Sequence, residues 1–213
     1  MTNVSISKLK EEIKRVYEEK EDRIVELLNL GKGHAEEWTE ETEKIFVEIA
    51  RGFDYSECDK EYKKYTIEDK ETKLRKLKIW KASKPKEFMG IDQVWFNERP
   101  IVGIEYENHE DFEKVSNDEF QKLLFFKSEF KILVWYADDW KDWDDYEQKY
   151  IKKFKKLVKR YANNDEYYMI ISIAGPDSKN DTKVGEVEWG INVLVKKEEG
   201  GKIIVEDELS EKW

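Results

Sequence analysis

Glu105 and Glu107 stand two residues apart in IVGIEYE, an otherwise apolar run of strand length. Alternate side chains of a β-strand share a face, so the two carboxylates project together while Ile104 and Tyr106 turn the other way. Upstream, KEFMGIDQVWF and IVGIEYE flank the turn residues NERP, a pattern that predicts a β-hairpin. Closing that hairpin brings Asp92 within reach of the same face. Three carboxylates converging there repel one another and call for a cation. Ligands that are all oxygen select a hard ion, Mg²⁺ or Mn²⁺. Such an ion activates water and neutralises charge on a phosphodiester. The plainer account is an exposed edge strand, since about a quarter of the chain is acidic and a Glu-x-Glu arises easily by chance.

The elements that would hold these residues follow from periodicity. Residues 7 to 30 predict a helix, with Leu9, Ile13, Val16, Tyr17, Ile24, Leu27 and Leu28 at three-to-four spacing. A second helix is expected from about Ala35 to Arg51, carrying Trp38, Thr42, Ile45, Phe46 and Ile49 on one stripe, with Gly52 as its C-cap. RKLKIWKA predicts a strand before the hairpin. After it, Ser116 and Glu119 have capping-box spacing and predict a helix over DEFQKLLFFKSE. FKILVWYA and YYMIISIAG are continuous apolar runs, as buried strands require. Between them a helix is expected with Tyr146, Tyr150, Ile151, Phe154, Leu157, Val158 and Tyr161 inward. WGINVLVKK and KIIVEDE around Gly200-Gly201 predict a second hairpin. A strand-helix-strand unit beside an antiparallel hairpin implies a mixed sheet covered by helices.

Composition bounds the setting. The 213 residues suit one domain with a sizeable core, and three Pro and ten Gly leave no evident linker. Aromatic content of 14% argues against disorder despite 41% charged residues. No apolar run approaches the roughly 20 residues needed to span a bilayer. With no signal-like apolar stretch at the start and a single cysteine, Cys58, the expected compartment is the cytoplasm, without a membrane partner. Two His and one Cys are too few for a zinc ribbon. The net charge of −10 has the wrong sign for a nucleic-acid binder, but binding follows local charge. Residues 73 to 86 hold seven Lys or Arg and no acid, among them Lys76, Lys78, Lys81 and Lys84. This run leads into the Asp92 strand and is the expected contact to a nucleic-acid backbone. A second basic run, 149 to 160, lies mostly opposite its helix's apolar stripe, the ordinary pattern of a solvated face. Trp135, Trp140 and Trp143 could stack on bases, although Trp135 is more simply core.

GID-QVWF-NERP-IVGIEYEN resembles the signature of the PD-(D/E)XK, restriction-endonuclease-like nuclease superfamily. That signature is an Asp at a strand start, a hairpin, Asp/Glu-x-Lys on the next strand, then a helix and a buried strand. Asp92 and Glu105 match it, and Glu107 stands at the lysine position, as in the minority Glu-x-Glu members. The resemblance implies a metal-dependent endonuclease acting on DNA, with Asp92, Glu105 and Glu107 catalytic and Mg²⁺ or Mn²⁺ as cofactor. It implies that a lysine from the next helix stands in: Lys122 first, with Lys127 in reserve. Periodicity sets Phe120, Leu123 and Leu124 opposite Lys122. Glu41, eleven residues before Gly52, matches the helical Glu that some members add to the metal site. The resemblance spans residues 34 to 175, leaving residues 1 to 33 as a helical extension and 176 to 213 as a C-terminal hairpin of one domain. A homodimer is among the assemblies the class allows. The rival expectation is a catalytically silent relative that binds nucleic acid or a protein.

Overall fold

A computed structural model describes residues 5–29, 35–53, 78–81, 91–97, 99–107, 112–136, 147–164, 166–174, 188–199 and 202–212. Three helices come first: α1 (Ile6–Glu19), α2 (Glu21–Asn29) and α3 (Ala35–Arg51). The sheet follows, with β1 (Lys78–Lys81), β2 (Gln93–Asn97), β3 (Arg99–Glu107), β4 (Phe130–Tyr136), β5 (Tyr167–Ala174), β6 (Glu188–Glu199) and β7 (Lys202–Lys212). Between β3 and β4 runs α4, composed of Phe112–Lys114, a π segment Val115–Glu119, and Phe120–Phe125. Between β4 and β5 runs α5, a π segment Glu147–Ile151 continued by Lys152–Tyr161.

The seven strands lie in chain order across one sheet. β3, β4 and β5 are parallel, and every other neighbouring pair is antiparallel. The chain is therefore a mixed α/β protein whose mixed sheet is flanked by helices, as expected. Two successive parallel crossovers stepping the same way place both connecting helices on one face, because such crossovers are right-handed. On that face Phe112, Phe120, Leu123 and Phe154 pack with Leu133, Trp135, Tyr168 and Ile170. The other face belongs to α1 and α3, whose stripes Leu9, Ile13, Val16 and Trp38, Phe46, Ile49 cover Ile104, Tyr106, Ile132 and Val134. Among the described residues, no helix is long and apolar enough to cross a membrane.

Several local expectations are corrected. The first helix breaks at Lys20, where the backbone leaves the α region at φ −108°, ψ 7°. Ser116 is no N-cap: the helix is already running from Phe112, and the Ser116 hydroxyl donates back to the Glu113 carbonyl at 3.2 Å. Tyr161 turns outward, 40% exposed, because the apolar stripe runs out in the last turn of α5. The C-terminal hairpin joins the main sheet, β6 pairing with β5 along its length. Trp135 is fully buried core, in keeping with its place in the apolar run FKILVWYA. Trp140 and Trp143 lie outside the described residues.

Gly103 marks the tightest approach in this layer. A Cβ there would lie 2.7 Å from Phe126 Cδ1 and 2.9 Å from its Cε1. Phe126 is buried and closes α4, so its ring has little room to retreat. Gly103→Ala is expected to cost about 1–3 kcal/mol through overpacking. Urea unfolding checks this, and an unchanged midpoint would show that the helix end gives way freely.

Candidate active site

β2 and β3 pair with Gln93 opposite Ile104 and Val94 opposite Gly103. One step further in that register sets Asp92 opposite Glu105, on the face covered by α4. Asp92 precedes β2 and is tied to β3 directly, its Oδ2 accepting from the Tyr106 backbone N–H at 3.0 Å. The Tyr106 side chain points to the opposite face, where its hydroxyl donates to the Gln93 side-chain oxygen. Alternation along β3 thus separates an apolar anchor, Ile104 and Tyr106, from an acidic pair, Glu105 and Glu107.

Glu105 is fully buried. Among the described residues, neither of its oxygens meets a donor in hydrogen-bond geometry, although the Asp92 carboxyl lies close enough to share a proton with it. Burial pushes its carboxyl up to about 12; the negative charges of Asp92 and Glu119 push the same way, and Lys122 pulls against them. Lys122 reaches in from α4, with Nζ 3.9 Å from Glu105 Oε2 and 2.5 Å from Glu119 Oε2. Its placement follows from the helix: Leu123 and Leu124 are buried against the sheet, and Lys122 flanks them, one-third exposed. A lysine that borders the packed stripe still reaches inward along its four-carbon stem. Glu107, almost fully buried, sits one alternate position along β3, opposite Trp135 of β4.

The remaining expected site residues divide. α3 lies over the other face of the sheet, with Phe46 against Tyr106, so the structure does not bring Glu41 to Asp92 and Glu105. Glu41 pairs instead with Lys44, and that hydrogen bond holds its carboxyl below the usual range, helped by the nearby Arg23 and Lys20. The correction has a plain cause: helical periodicity says which side of a helix is buried, not which face of the sheet it covers. Lys127 lies beyond α4, exposed in the turn leading to β4. Lys78 and Lys81 are on β1, an edge strand, opposite Phe96 and Gln93. Lys76 and Lys84 lie outside the described residues.

Glu119 was absent from the expected set because its spacing from Ser116 suggested a cap. The signal that could have found it is its three-residue spacing from Lys122, which makes helical neighbours. Among the described residues no group of three His, Cys, Asp or Glu side chains gathers as a metal cluster. What the fold presents is a carboxyl pair, Asp92 and Glu105, with an adjacent lysine. Mg²⁺ commonly takes one or two protein carboxylates and fills its shell with water and phosphate oxygens, so this donor set fits such an ion. No family model, no curated protein and no solved structure matches this chain.

Proposed function

We propose that the chain is a metal-dependent endonuclease of restriction-endonuclease-like architecture, a Glu-x-Glu variant of the PD-(D/E)XK superfamily that hydrolyses DNA phosphodiester bonds. One observation carries this reading: a fully buried carboxyl, without a donor among the described residues, opposite Asp92 and 3.9 Å from Lys122. Two carboxyls held together away from water call for a shared proton or a cation between them. The element order supports it too: helix, three-stranded meander, helix, parallel strand. Asp92 and Glu105 would hold Mg²⁺ or Mn²⁺, which supplies charge neutralisation and an acidified water when bound. Lys122, swinging from Glu119, would meet the negative charge that develops on the phosphoryl oxygens. Glu107, at the next alternate position, would accept a proton from the attacking water.

The test has two parts. Millimolar Mn²⁺ should raise the thermal midpoint by binding only the folded state. Lys122→Ala should slow cleavage by about 10²-fold or more while shifting the DNA dissociation constant little. No midpoint shift in a folded sample removes the metal site. The second reading, a catalytically silent relative that binds nucleic acid or a protein, is favoured by the lack of a third gathered acid among the described residues. A metal-induced shift without cleavage of any DNA substrate would select it.

A further inference from the structure

Three large apolar side chains stand exposed among the described residues: Phe125, Tyr161 and Ile203. Two of them touch. Phe125, 69% exposed at the end of α4, meets Tyr161, 40% exposed at the end of α5, with ring centroids 6.3 Å apart and planes tilted by 57°. The Arg160 guanidinium lies 5.0 Å over the Tyr161 ring. The last ten residues of that helix, KKFKKLVKRY, include no acid, and Lys152, Lys156, Lys159 and Arg160 are exposed on them. In a chain of net charge −10 this is a local reversal of sign.

We infer that Phe125 and Tyr161, backed by the basic face of α5, form a stacking platform for single-stranded nucleic acid. Each half of the surface selects the same occupant. Exposed rings gain by covering flat apolar faces, and the adjacent cations require that whatever carries those faces be polyanionic. Unpaired nucleotides meet both demands, whereas a duplex hides its base faces within its own stack. Phe125 is one helical turn beyond Lys122 on α4, so the platform adjoins the candidate active site. As a binding site it stands apart from the cleavage reading. Its role in guiding unpaired nucleotides towards Lys122 rests on that reading.

The experiment is fluorescence anisotropy with a labelled twenty-nucleotide oligo-dT and a duplex of equal length, both in EDTA. The full chain should bind the single strand more tightly than the duplex. Phe125→Ala/Tyr161→Ala should weaken oligo-dT binding by about 10- to 100-fold with the salt slope unchanged, since stacking releases no counterions. Phe125→Trp/Tyr161→Phe should restore it. Lys156→Ala/Lys159→Ala should instead flatten the slope by about 1.4, at about 0.7 per phosphate contact. An unchanged dissociation constant in the ring variant, a preference for duplex, or no binding by the parent chain overturns the platform. Tighter binding of poly-glutamate than of oligo-dT overturns it in favour of an acidic protein partner. Mn²⁺-dependent cleavage is scored separately. Loss of stacking without any cleavage sinks only the nuclease, and cleavage with ring-independent binding sinks only the platform.

Discussion

Glu105→Gln is expected to stabilise the metal-free protein at pH 7.5 and to abolish its response to Mn²⁺. Folding takes Glu105 from water to a fully buried position opposite Asp92, and its carboxyl rises from an ordinary 4.5 to about 12. At pH 7.5 the unfolded chain carries this group as a carboxylate, and the folded chain must bind a proton to bury it. The cost is absent below about pH 4.5 and grows as pH rises towards 12. At about 1.36 kcal/mol per pH unit, three units set a ceiling of about 4 kcal/mol at pH 7.5. For a chain of this size that corresponds to about 10 °C in the midpoint. Gln has the shape of the protonated acid and no proton to acquire, so the variant escapes the cost. Midpoints of parent and variant should converge near pH 4.5 and separate as pH rises. A separation that does not change with pH, or a variant less stable throughout, would remove the buried-acid account. Metal acts in the opposite sense: an ion displaces the proton, so Mn²⁺ affinity should strengthen with pH and its binding should release acid.

Much of this site is legible in the sequence because strand alternation is strict. Once IVGIEYE is a strand, Glu105 and Glu107 must share a face, and the hairpin must carry Asp92 alongside. The mixed sheet follows similarly from the alternation of apolar runs with helical stripes. The misses share a physical origin. The place of Glu41 depends on the face to which α3 docks, which is decided by tertiary packing around Tyr17, Phe46 and Tyr106 rather than by anything local. Ser116 and Glu119 have the spacing of a cap, but a helix that begins at Phe112 absorbs them, and three-residue helical spacing pairs Glu119 with Lys122 beside Glu105. The break at Lys20 leaves Ile24 buried in the same core as Leu9, Ile13 and Val16, so periodicity alone carries no trace of it. Lys131 was readable as the lone charge inside FKILVWY, yet its partner lies 35 residues away in sequence.

That partner is Glu166, and breaking the pair should produce a large loss of stability. Lys131 is fully buried on β4, its Nζ 2.9 Å from Glu166 Oε2, 2.9 Å from the Ser128 carbonyl, and 4.9 Å from the centre of the Tyr168 ring. Burial pulls the ammonium below its ordinary range, and the pairing with Glu166 offsets part of that. Burial raises Glu166 too, but donors from Tyr168, Asn163 and Lys131 outweigh it and leave the carboxyl below its usual range. Both shifts are downward, yet on an ammonium and on a carboxylate they act on stability with opposite signs. Glu166 contributes stability above the ordinary carboxylate range, lost as pH falls through its depressed value. Lys131 imposes a cost at neutral pH that is relieved as pH rises through its own depressed value. Glu166→Ala strands a buried charge without its partner and should cost about 3–5 kcal/mol. Lys131→Met/Glu166→Gln should recover most of it, because Met fills the apolar slot, the Gln carbonyl takes the oxygen position that accepts from the Tyr168 hydroxyl, and the Gln amide faces an Asn163 side chain that can turn its own oxygen to accept. A double-mutant cycle by urea unfolding measures the difference. If Glu166→Ala loses less than about 1 kcal/mol, Lys131 finds water or sheds its proton at little cost, and the pair contributes nothing to the hold of β4 on β5.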